Sequence, residues 1–339
     1  IAPLSVWCNW LAWTPVLSLG CSIAAAYILN ALGPIPGAES AEVLAWVKAN
    51  ASSIAADSPR VAEWLAANAG ATDDAMAALL AQDGVAALTP AFRNWTLATG
   101  AIGPVSFSLN WTFFIGVVLM LITFAIQHRG ILGTASVQKY IGMLVIVPML
   151  IVGIAPILTG QINWDNYSPL VPLKEAYVPA NGEWNIGGWT LVLGGMFIAA
   201  WSTYAFETAI CYTSEFKNPK TDTFRAIFYS GLLCLVLYTL VPFTFQGVLG
   251  LNGMLEDSIV DGSGVAAAMG QMVGGGGFIT SLMVMMMIFA LMLAIMTAMA
   301  GSSRTLYQGS VDGWLPRYLS RVNSHGAPTA AMWSDLIFN

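Results

Sequence analysis

Residues 188–226, GWTLVLGGMFIAAWSTYAFETAICYTSEFKNPKTDTFRA, begin as an uncharged apolar run and then meet an acid. The run is long enough to cross a bilayer, which takes about 20 residues of helix. Near its far end stands a small and polar patch, Trp201-Ser202-Thr203-Tyr204-Ala205, followed by Glu207. A charged, turn-forming segment closes the stretch: Glu215-Phe216-Lys217-Asn218-Pro219-Lys220. A carboxylate inside an otherwise uncharged crossing costs several kcal/mol and marks function by default. Hydroxyls beside it can satisfy backbone groups freed where a membrane helix loses its winding, or can bind a ligand. The stretch therefore predicts an interrupted crossing with a buried acid at the gap.

The rest of the chain shares this character. Of 339 residues 57% are hydrophobic and only 9% charged, where soluble domains carry about a quarter. Asp, Glu, Lys, Arg and His are absent from residues 1–38, 94–127, 140–164, 184–206, 226–255 and 262–303. A water-soluble fold cannot hide six windows of that length, so the chain reads as an all-α integral membrane protein. The acids cluster, seven of eighteen lying between Glu39 and Asp83, so the net charge of −6 says little about partners. No basic stripe suggests nucleic acid. Cys8, Cys21, Cys211 and Cys234 fall in apolar segments without CxxC spacing, which points to neither a disulfide framework nor a metal site. No cofactor is implied.

In chain order, the first crossing covers about Val6 to Leu32, interrupted at Trp13-Thr14-Pro15, where proline removes a helical hydrogen bond. Residues 34–103 read as an extracytoplasmic insertion of short amphipathic helices, with Thr72 or Asp73 capping one of them. Further crossings are expected over about Pro104 to Gln127, Ser136 to Thr159, Trp189 to Tyr212, Thr223 to Gly250 and Phe278 to Gly301, with a seventh beginning after Ala327-Pro328. The glycines Gly274–Gly277 either unwind the external end before the sixth crossing or serve as a hinge. Links 128–139, 213–225 and 302–326 are basic, and the intervening ones are mostly acidic. The positive-inside rule places the basic links in the cytoplasm, which agrees with strict alternation of the spans.

These residues resemble the amino acid–polyamine–organocation permeases. The resemblance lies in Trp201 to Thr208, in Glu215 to Lys220 with Phe224-Arg225-Ala226-Ile227, and in Ser303-Arg304-Thr305-Leu306-Tyr307. It continues through Asp312-Gly313-Trp314-Leu315-Pro316 and Asn323-Ser324-His325-Gly326-Ala327-Pro328. It implies a single transmembrane domain over residues 1–339, part of a five-plus-five inverted-repeat (LeuT-like) transporter fold. The chain would then be a piece covering about helices 3 to 9. Helix 1, which in the family supplies half of the amino-acid site, would lie outside it. Ala205 stands where the family usually has glycine, so the break in the 189–212 crossing would be gentler or shifted.

The function implied is proton-coupled symport or exchange of amino acids or related organic amines across the cytoplasmic membrane. Trp201, Ser202, Thr203, Tyr204 and Ala205 would line the substrate path, with Trp13, Pro15 and Leu19 facing it from the first crossing. The aromatic rings could stack on a cationic or apolar substrate group, or simply pack between helices. Burial favours the neutral form of an acid, so Glu207 could load and release a proton as the cavity alternates; its counterpart in the family is associated with proton-linked gating. The alternative is a Glu bonded to backbone amides in a structural role. Glu215, Lys217 and Arg304 would form a cytoplasmic gate, or serve only as topological anchors. Both histidines, His128 and His325, fall in cytoplasmic links, which leaves no imidazole for a midplane relay and argues against a membrane enzyme. A sensor or scaffold that kept the permease fold is the rival reading, favoured by the large insertion.

Overall fold

The computed structural model describes residues 2–31, 96–103, 105–168, 193–197, 216–260 and 264–339, with isolated positions elsewhere. Its main elements are α1 (Ala2–Ala31), β1 (Thr96–Ile102), β2 (Val105–Asn110), α2 (Trp111–His128), α3 (Ile131–Leu158), α4 (Pro219–Met254), α5 (Val265–Met272), α6 (Gly277–Val311) and α7 (Thr329–Phe338). Five of the described helices are long and apolar enough to cross a membrane: Pro3–Leu29, Trp111–His128, Gly133–Leu158, Pro219–Met254 and Gly277–Val311. With backbone groups satisfied within each segment, helices of this kind suit a bilayer. This is a multi-pass, mainly helical membrane protein.

Local sequence explains where the helices start and stop. Asn110 caps α2, its Oδ1 accepting from the Phe113 amide at 2.9 Å. Pro219 takes the first position of α4, where its missing N–H is harmless. Asp222 reaches back to accept from the Asn218 amide at 3.0 Å. Gly250, at φ 69 and ψ 169, breaks α4 where the fifth crossing was expected to end. The three glycines Gly274, Gly275 and Gly276 all have positive φ, and α6 begins directly after them. Between α1 and β1, Thr72 is a cap as expected, accepting the Ala75 amide at 3.3 Å.

Three expectations are corrected. α1 is continuous through Pro15, and the Thr14 hydroxyl donates to the Trp10 carbonyl at 2.9 Å within the same turn. Residues 96–110 form an antiparallel hairpin pairing Ile102 with Val105 and Thr96 with Asn110, where the insertion was expected to end in helix. The second crossing consequently begins at Trp111 rather than near Pro104.

The core lies along α1. Trp13, Leu17, Cys21 and Ala24 of α1 pack with Leu119, Met120 and Phe124 of α2 and with Ile295, Ala298 and Met299 of α6. Small residues let α1 and α6 approach closely, as membrane helices do when packing rather than water drives association. A methyl on Gly20 would stand 2.9 Å from Ile295, and one on Gly309 would stand 2.8 Å from Val6. A second cluster joins Val145 and Val152 of α3, Val241 and Phe245 of α4, and four methionines, Met269, Met272, Met283 and Met286, from α5 and α6.

Candidate functional site

The α1–α6 seam carries a cluster of buried polar groups. Trp13 is buried, and its ring lies over Gly301, where an added methyl would come within 3.1 Å of Cε2. One turn earlier, Trp10 turns its indole N–H onto Asp335 Oδ1 at 2.6 Å. Ser302, beside Gly301, donates to Asp335 Oδ2 at 2.6 Å. Asp335 belongs to α7 and is fully buried, so one carboxyl ties α1, α6 and α7 together. Leu306, Leu315, Leu319 and Ala331 enclose the Trp10 side of the group in apolar surface.

A neighbouring polar pair braces α2. Gln127 Nε2 donates to the Met296 carbonyl at 2.6 Å, spending a buried amide on a helix backbone. Thr123, a turn away on the same buried stripe of α2, has a buried hydroxyl without a hydrogen-bond partner.

The link between α6 and α7 is held by Asn323. Its Oδ1 accepts from the amides of His325 and Ala327, both at 2.9 Å, and its Nδ2 donates to the His128 carbonyl at 2.7 Å. Gly130, at φ 83, lets this loop close: a methyl there would be 2.7 Å from the His325 carbonyl oxygen. Gly313, also at positive φ, turns the chain at the end of α6, where Trp314 and Leu315 donate to the Gly309 carbonyl.

Of the residues singled out from sequence, Trp201 to Ala205, Glu207 and Glu215 lie outside the described residues. Trp13 is buried against α6, whereas Pro15 and Leu19 are exposed on α1. Lys217 is exposed just before α4, and Arg304 is half-buried on α6, two residues beyond Ser302. Asp335 adds a buried carboxylate that the sequence reading does not single out. The signal was present: Asp335 is the one charged residue between Ala327 and Asn339, in the apolar run that follows Pro328.

A family model described as amino acid permease matches residues 1–339. The chain belongs to the amino acid permease family. Relatives include the branched-chain amino acid permeases BcaP of Lactococcus lactis subsp. cremoris, 23% identical over 65% of this chain, and of Bacillus subtilis, 23% identical over 70%. An uncharacterized transporter of Legionella pneumophila is 28% identical over 37% of the chain and 26% of its own length. The chain spans less than half the length of the two BcaP proteins, 44% and 46%. Family membership gives physical sense to two stretches on which the resemblance rests. Asp312 to Pro316 ends α6 through the positive-φ Gly313, and Asn323 to Pro328 fastens the following loop to the end of α2.

Proposed function

We propose that this chain forms part of a secondary active transporter that moves amino acids or related organic amines across the cytoplasmic membrane, by proton-coupled symport or exchange. The family match along the whole chain carries this reading. The names of the BcaP relatives make leucine, isoleucine and valine the first substrates to try. In the five-plus-five inverted repeat, α1, α2, α3, α4 and α6 stand as helices 3, 4, 5, 7 and 8, and α7 as the start of helix 9. The substrate docks at the interrupted crossing over Trp201, Ser202, Thr203, Tyr204 and Ala205, with Trp13, Pro15 and Leu19 on the facing helix. Broken membrane helices expose backbone donors and acceptors only where a cavity receives them, and that is where transporters bind their cargo. Glu207 is the protonation site beside the gap, and Glu215, Lys217 and Arg304 make the inner gate.

Counterflow tests the function. Protein from the complete reading frame, in liposomes preloaded with leucine, should accumulate external labelled leucine transiently; a sensor or scaffold gives none. Replacing Glu207 by Gln should flatten the pH dependence of uptake. A pH profile matching the wild type would remove Glu207 from the proton pathway.

A further inference from the structure

We infer that Asp335 is a second proton-binding site, one whose ionised and protonated forms are both accommodated by rotation of the Ser302 hydroxyl. The link to uptake rests on the transport function proposed above; the site itself rests on the geometry of three side chains.

The two partners of the carboxyl have different capacities. An indole N–H only donates, so Trp10 holds Oδ1 as an acceptor whether or not the acid is protonated. A hydroxyl both donates and accepts, and Ser302 Oγ stands 2.6 Å from Oδ2 and 3.3 Å from the Met299 carbonyl oxygen. With Asp335 ionised, the hydroxyl donates to Oδ2. When a proton arrives on Oδ2, the carboxyl donates to Oγ, and the hydroxyl proton turns to Met299. Every group keeps a partner in both states, and the states differ by one proton. Because an unpaired buried polar group is costly, a site that satisfies both forms can cycle between them.

The surroundings are sparse in charge. Neither partner of the carboxyl is ionic. The ionisable groups on the packed elements are Cys8, Cys21 and Tyr27 on α1, His128 on α2, Arg304 and Tyr307 on α6 with Asp312 just beyond it, and Arg317, Tyr318, Arg321 and His325 in the link before α7. His128 is one aromatic ring removed from α7, since Phe124 contacts both His128 and Trp333. Asp335 and Ser302 are each sealed from solvent. The proton therefore exchanges when α7 parts from α1 or α6, which couples protonation to movement of the inner end of α7.

Asp335→Asn copies the protonated state, its amide oxygen accepting from Trp10 and its NH2 donating to Ser302. In infrared difference spectra of the purified full-length protein between high and low pH, the wild type should show a protonated-carboxyl band that Asp335→Asn loses. Ser302→Ala should shift that band, because the carboxyl loses its hydroxyl partner. The same two variants should change the pH slope of uptake, with Asp335→Asn losing its own contribution in both the wild-type and Glu207→Gln backgrounds. Spectra unchanged by Asp335→Asn would overturn the proposal. Should that variant not fold, a band unmoved by Ser302→Ala would overturn it equally. A protein without counterflow but with the Asp335 band would refute transport and leave this site standing.

Discussion

Asn323 shows how much one polar side chain can organise. It makes three side-chain hydrogen bonds, two within its own loop and one to the His128 carbonyl, 195 residues away in sequence. A net contribution near 1 kcal/mol per bond puts the cost of Asn323→Ala at about 1–3 kcal/mol. Asn323→Asp keeps the two acceptor bonds but sets a carboxylate oxygen against the His128 carbonyl oxygen, so it should cost more than the single bond it loses, at least about 1 kcal/mol. Thermal unfolding in detergent orders the three proteins, and equal Tm values for wild type and Asn323→Ala would discard the hub. The motif around Asn323 was legible from sequence, but its role was not, because the carbonyl it binds is remote. Asp335 was missed for a related reason. One acid in an apolar run says that burial is costly, and only the fold reveals that Trp10 and Ser302 converge on it.

The helices themselves were legible because the bilayer forces one signal, absence of charge, over a fixed length. Their edges were less so. A charge-free window does not distinguish helix from strand, and the 94–127 window contains both. The missed signal is the alternation Val105-Ser106-Phe107-Ser108-Leu109-Asn110, apolar and polar in turn, the period of a strand. Phe107 lies across Gly100 of the partner strand, where an added methyl would stand 2.4 Å from its ring, so a side chain there would have to displace the exposed ring. Helix pairing was not legible either, since the glycines of α6 face α1 only through geometry. Gly309→Val should overpack the seam against Val6 and cost about 1–3 kcal/mol. Gly142→Ala, with open space at its Cβ, should stay near the wild type. Equal losses of detergent-solubilised stability in both would mean the seam is loose.

At the scale of the whole molecule, two independent lines group the same two links together. Charge bias puts the links at 128–139 and 302–326 on one side of the membrane, and the fold brings them into contact through Asn323 and His128. At the opposite end, the Tyr27 hydroxyl donates to the Gly262 carbonyl, and Tyr167 donates to the Phe243 carbonyl at 2.8 Å. Asn166 donates to the Gly247 carbonyl there, also at 2.8 Å. The end of α1, the link after α3 and the link after α4 thus share a face, as alternating spans require. Ser324 and Asp165 are exposed on the two faces and report on them. In a background with Cys8, Cys21, Cys211 and Cys234 replaced, a membrane-impermeant maleimide added to intact cells should label Asp165→Cys. It should label Ser324→Cys only after the membrane is opened. The reversed pattern would turn the protein over and move the inner gate outside. Labelling of both from outside would break the alternation, and with it the assignment of α1 and α6 to antiparallel spans joined through Asp335.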